Sequence, residues 1–102
     1  MNTKELFSRY EAGQRDFRGL NLIAANLRNM NLSGANLSGT NLSGANLTRT
    51  NLSHANLTGA NLSKANLMET NLTKANLSSA NLSDVDLSQA NLSQTYLRDA
   101  IW

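Results

Sequence analysis

The sequence predicts an all-β solenoid entered through a short helix, and three observations carry that prediction. Leu recurs every five residues from Leu22 to Leu97 without a gap, sixteen times, with Phe17 and Trp102 in the same slot at the two ends. Asn precedes every Leu from Leu22 to Leu82, and a small residue such as Ala35, Thr40, Ala45 or Ala60 precedes most Asn. After most Leu come Ser or Thr and then Gly or a variable polar residue, as in Ser33-Gly34, Thr48-Arg49 and Ser63-Lys64.

A spacing of five fits neither regular element alone. In an α-helix five residues advance about 500°, a net rotation of about 140°, so successive Leu side chains spiral round the rod and leave no apolar stripe. On a flat strand side chains alternate, and an odd spacing points Leu22 and Leu27 to opposite faces. Each repeat must therefore contain a turn that re-aims its Leu at a common axis. That makes a tube with very short extended sides.

The first element is the non-repeating segment 1–14, read as a capping helix ahead of the repeat domain 15–102. Asn2 caps it, with Glu5 three residues later in a capping-box-like pair. Leu6, Phe7 and Tyr10 form its apolar face, and Gly13 stops it. Its expected role is a lid over the apolar core and unpaired edge of the first coil.

Within each repeat the Leu and the small residue two before it point inward, an alternation of large and small that fills a core. The two residues after the Leu face water and turn the chain. Gly34, Gly39, Gly44, Gly59 and Asn29 occupy the third position of that turn, where a type II turn needs positive φ. Lys64, Glu69, Lys74, Ser79, Asp84 and Gln89 hold the position later in the chain. A second turn type without positive φ is therefore expected after about residue 60.

The run of A-N-L-S-x and T-N-L-T-x units resembles the pentapeptide-repeat family, whose pattern is a small residue, Asn or Asp, Leu or Phe, then two variable positions. The likeness covers residues 15–102, eighteen consecutive centre slots. The opening Glu5-Leu6-Phe7 and Tyr10, Gly13, Arg15-Asp16-Phe17 also resembles the lead-in of many members. The resemblance implies a right-handed quadrilateral β-helix with four repeats per coil. At twenty residues per coil, 15–102 makes a little over four coils, a stack on the order of 20 Å tall. Departures gather at the ends, where Asp86, Tyr96 and Ile101 replace Asn, and Leu20, Met30 and Val85 fill the small slot.

Composition narrows the function classes. The chain has no Cys, hence no disulfide framework and no thiolate metal site. No apolar run is long enough to span a membrane, and segment 1–14 is too polar for a secretory signal, so residence in the cytoplasm is expected. His54, the single histidine, sits in an outward turn slot, with Gly34 and Lys74 as its inferred neighbours one coil away and no carboxylate to orient it as a base. Asp84 and Asp86 lie close together but lack further metal ligands. Arg49 and Glu69 stack one coil apart as an expected exposed ion pair, worth under about 1 kcal/mol. No catalytic, cofactor-binding or metal-binding residue is assigned, and no enzyme is expected.

Some members of the family resemble B-form DNA and bind DNA gyrase in its place. Duplex DNA carries one negative charge per about 1.7 Å, so a 20 Å mimic needs on the order of twelve negative charges. This chain is +2 overall, and its repeats are +2 as well, seven basic less five acidic residues. The balance disfavours mimicry. Direct nucleic-acid binding is not favoured either, since Arg18, Arg28, Arg49, Lys64, Lys74 and Arg98 scatter over different faces without interleaved aromatics. The hydroxyl row Ser33, Ser53, Thr73 and Ser93 suggests ice binding only weakly, because all four faces carry such rows.

A structural or protein-interaction module remains. Its candidate partner contacts are Ile23 and Met68, apolar where Ser or Thr is usual, with Arg28 and Glu69 beside them. The pattern stops at Trp102 without a lid. Tyr96, Leu97, Ile101 and Trp102 are therefore the candidate interface of a homodimer joined through the C-terminal coil.

Overall fold

The computed structural model describes residues 1–102. Its order is one helix, α1 (Thr3–Glu11), followed by a coil of short sides. Thirteen isolated bridges, all parallel, join residues twenty apart. They fall in four columns: Asp16 to Tyr96, Asn21 to Ile101, Asn26 to Asn66, and Asn31 to Asn91. Four five-residue sides therefore make one turn of the tube.

One side shows how the coils are tied. The Leu42 amide donates to the Asn61 carbonyl at 2.7 Å, and the Asn61 amide donates back to the Thr40 carbonyl at 2.9 Å. At the corner, the Gly44 amide donates to the Ser63 carbonyl at 2.9 Å. Each corner closes on itself as well, with the Ala45 amide donating to the Leu42 carbonyl at 3.0 Å. The Asn side chain adds a further bond: Asn41 Oδ1 accepts from the Ser43 amide at 3.1 Å, and the same bond recurs from Asn21 to Asn91. Asn is therefore the residue that pins the entry to each corner, as Asx turns do.

The core is the axial Leu column with Ala between its members. Leu22 to Leu82, Phe17, and Ala35 to Ala80 in their slots form one buried cluster. Thr40, Thr50 and Thr70 are buried in the same slots. They fit because their hydroxyls find carbonyls: Thr40 donates to Leu37 O at 2.7 Å, and Thr50 reaches Leu27 O at 2.7 Å in the neighbouring coil. No buried side-chain polar atom is left without a partner.

The expected change of turn type does not occur. The third corner residue keeps positive φ along nearly the whole tube, at Lys64 (61°), Glu69 (55°), Lys74 (60°), Ser79 (60°) and Asp84 (59°), as at Gly34 (73°). The bond from that residue's amide to the next coil, such as Lys64 N to Ser83 O at 3.0 Å, dictates the conformation whatever the side chain. The ladder overrides residue preference, at about 1–2 kcal/mol of left-handed strain per non-Gly residue. Gln89 alone lacks positive φ.

In α1, Asn2 Oδ1 accepts from the Glu5 amide at 2.8 Å, but Glu5 turns to Arg9 at 2.7 Å instead of back to Asn2. Gly13 (φ 103°) ends it, its amide donating to Tyr10 O and the Gln14 amide to Arg9 O, the paired bonds of a Schellman stop. Leu6 and Tyr10, one helical turn apart, are buried on the core, whereas Phe7 is 48% exposed. The apolar face is thus narrower than Leu6, Phe7 and Tyr10 together, because Phe7 points about 100° away from Leu6. No helix is long and apolar enough to cross a membrane.

Candidate functional site

Each corner of the tube displays two residues per coil, so outward side chains stack in vertical pairs of columns. The second corner carries Ile23-Ala24, Ser43-Gly44, Ser63-Lys64 and Ser83-Asp84. The third carries Arg28-Asn29, Thr48-Arg49, Met68-Glu69 and Ser88-Gln89, by the twenty-residue register. Arg28, Met68 and Glu69 therefore share one corner, and Ile23 stands on the neighbouring one. Met68 is 49% exposed.

A polar chain runs down the third corner. Arg49 Nε donates to Asn29 Oδ1 at 3.0 Å, and Arg49 Nη1 lies 3.8 Å from Glu69 Oε2. The expected Arg49–Glu69 ion pair is present and solvent-exposed. Arg49 and Asn29 belong with the candidate residues; only their irregularity in the repeat could have marked them.

This corner also holds the one break in the ladder. Asn26 bridges Asn46 and Asn46 bridges Asn66, but Asn66 does not bridge Asp86. The Glu69 amide bonds Gln89 O at 2.9 Å, whereas elsewhere the corresponding acceptor is the preceding Ser or Thr, as Ser83 is for Lys64. Asp86 keeps the Asx bond, accepting from the Ser88 amide at 2.9 Å. That backbone bond, with the Ser88 side chain, holds the Asp86 carboxyl below its ordinary pKa.

The remaining charged and aromatic groups serve the scaffold. Arg18 grips Asp16 through two bonds of 2.9 Å, which lowers the Asp16 pKa and raises that of Arg18. Arg15 lies over the Tyr10 ring, 3.7 Å from its centroid, and donates to Tyr10 O at 2.9 Å. His54 is exposed at a corner (φ 61°) between Gly34 and Lys74. No three His, Cys, Asp or Glu side chains stand together as a metal site.

At the C-terminal end, Leu87, Leu92 and Leu97 are only partly buried. Tyr96, Ile101 and Trp102 are 63%, 55% and 66% exposed. A shallow pocket of about 490 Å³ opens there between Asn76, Ser78, Thr95, Tyr96, Leu97 and Arg98. Tyr96, Leu97, Ile101 and Trp102 are thus gathered at one end, Tyr96 and Ile101 still bridging Asn76 and Asn81 in the coil above.

Comparison with known proteins agrees with this geometry. The family model described as pentapeptide repeats matches residues 16–53, 50–89 and 80–101. Similar solved structures include a pentapeptide repeat protein from the Arabidopsis thaliana thylakoid lumen, at 25% identity and TM-score 0.81 over 88% of this chain. HetL, a pentapeptide repeat protein involved in heterocyst differentiation regulation in Nostoc, is 34% identical with TM-score 0.56 over 98% of the chain. QnrB1, a plasmid-mediated fluoroquinolone resistance protein, is 26% identical with TM-score 0.68 over 76% of the chain and 36% of its own. The chain spans 63% and 48% of the length of the first two. No curated protein matches it.

Proposed function

The chain belongs to the pentapeptide-repeat family, and we propose that it serves there as a non-enzymatic, right-handed quadrilateral β-helix that presents one corner to a protein partner. The observation that carries this reading is the third corner. An exposed Met68, the Asn29–Arg49–Glu69 chain and the only unpaired rung lie together on a tube whose other walls are regular. An apolar group among fixed polar groups is the composition of a binding surface.

The test is comparative capture from the native host. Met68→Ser with Arg28→Ser should abolish recovery of the partner, while Ser53→Ala on the opposite corner should leave it intact. Equal recovery by all three forms removes the third corner from consideration.

At the C-terminal end the proposed partner is a second copy, contacting through Tyr96, Leu97, Ile101 and Trp102. Sedimentation should show a dimer that Trp102→Asp dissociates. A monomer at every concentration refutes that contact.

The likeness to QnrB1 favours a second reading, action on DNA gyrase by duplex mimicry. The +2 charge opposes it. A gyrase supercoiling assay separates the two: inhibition by this protein supports mimicry, and unchanged supercoiling supports the interaction module.

A further inference from the structure

The two ends of the tube are treated unequally, and the difference concerns backbone as well as apolar surface. Against α1, the first-coil centres Phe17, Leu22, Leu27 and Leu32 are buried, whereas Leu87, Leu92 and Leu97 at the other end are not fully covered. The helix also occupies edge carbonyls: Tyr10 Oη donates to Ser33 O at 2.6 Å and Gln14 Nε2 to Asp16 O at 2.8 Å. In every interior coil those same carbonyl positions receive amides from the coil before, as Asn41 O does from Leu22 at 2.7 Å and Ser53 O from Gly34 at 2.9 Å. Tyr10 and Gln14 thus take the place of a preceding coil.

The amides that such carbonyls lack stand at the other end. Leu92, Gln94, Leu97 and Asp99 amides, and the Ala90, Thr95 and Ala100 carbonyls, make no backbone ladder bond onward. Donors and acceptors at this edge match those that the first coil offers. Because all four sides repeat the same bonds, the two ends can meet in steps of five residues. A 23 Å by 23 Å section buries about 500 Å² on each copy, about 1,000 Å² in all, at the lower limit of a specific interface.

We propose that α1 is an autoinhibitory cap, and that its displacement exposes a surface whose partner is the C-terminal edge of a second copy. The contact is head-to-tail, so it does not close, and undocked chains grow into rods. It shares the C-terminal edge with the symmetric dimer proposed above. The two are distinguished by mass, since a symmetric contact stops at two copies.

The experiment uses the full chain carrying Leu6→Asp and Tyr10→Ala, followed by sedimentation and electron microscopy. Unbranched rods about as wide as the coil, with mass raised roughly tenfold or more, are expected. Added wild-type chain has a free C-terminal edge and a covered first coil, so it should shorten the rods in proportion to its amount. Adding Leu92→Lys and Leu97→Lys to the undocked chain should return it to low mass. A folded undocked chain that stays at one or two copies overturns the proposal, as do amorphous aggregates that wild-type chain does not shorten. If the substituted core fails to fold, Gln14→Ala with Arg15→Ala loosens α1 without touching a buried apolar side chain. Rods from that form support the proposal, and their absence after prolonged incubation overturns it.

Discussion

Asn66 and Asp86 occupy the same column one coil apart and are the one such pair that does not bridge. The consequence falls on Leu67, whose amide has no ladder partner, while Leu62 donates to Asn81 O at 2.8 Å and Leu72 to Asn91 O at 2.9 Å. Leu67 is nonetheless buried. Native-state hydrogen exchange should find its amide at least about a hundredfold less protected than those of Leu62 and Leu72. Equal protection at the three positions contradicts the broken rung.

The corners offer a matched pair of substitutions. A Cβ added at Gly34 (φ 73°) meets no atom within 4 Å, so Gly34→Ala isolates backbone strain from crowding. It should destabilise by about 1 kcal/mol, and Ala24→Gly at φ 56° should stabilise by up to about 1 kcal/mol. Urea unfolding measures both. Two changes of the same sign would show that positive φ does not govern these corners.

Depth along the axis should grade the core. Leu52 is fully buried in the middle of the tube, and Leu92, in the same column, is only partly covered. Leu52→Ala should cost about 2–5 kcal/mol and Leu92→Ala less than about 2 kcal/mol. Thermal unfolding of the two variants decides this, equal losses being the contrary result.

Acid should weaken the fold through Asp86. Its carboxyl is held low by the Ser88 amide, so its ionised form binds more strongly in the folded chain than in the unfolded one. That contribution is fully present above the ordinary carboxylate pKa and is lost as pH falls through the lowered folded value. Between about pH 6 and pH 3 the wild type should lose more thermal stability than Asp86→Asn. Parallel losses in the two proteins assign the acid sensitivity elsewhere.

The Leu spacing made the tube, its apolar axis and its small corner slots legible in the sequence, and the twenty-residue phase placed Arg49 against Glu69 correctly. Other features were hidden for physical reasons. The corner conformation at Lys64 or Glu69 is set by a bond to the next coil, which no local preference reveals. The Asn side chain works through a bond to the backbone two residues on, and composition alone shows only that Asn is there. Phe7 reads as core until Leu6 and Tyr10 are seen to cover the first coil without it. The candidate corner was half legible: Met68 and Arg28 break the pattern, but the missing bridge beside them has no signature beyond Val85, Asp86 and Gln89. The structure gives no reason why those three residues, rather than others, unpair the rung.

The twenty-residue register is tested most directly by disulfide trapping, because the chain has no Cys of its own. Ser43 and Ser63 place their hydroxyl oxygens 3.2 Å apart across adjacent coils. Ser43→Cys with Ser63→Cys should therefore oxidise to a single intramolecular bridge without loss of the fold, being within reach of disulfide geometry. Ser43→Cys with Thr58→Cys, on a different corner, should remain reduced under the same conditions. Bridging in the second pair, or none in the first, contradicts four five-residue sides per coil.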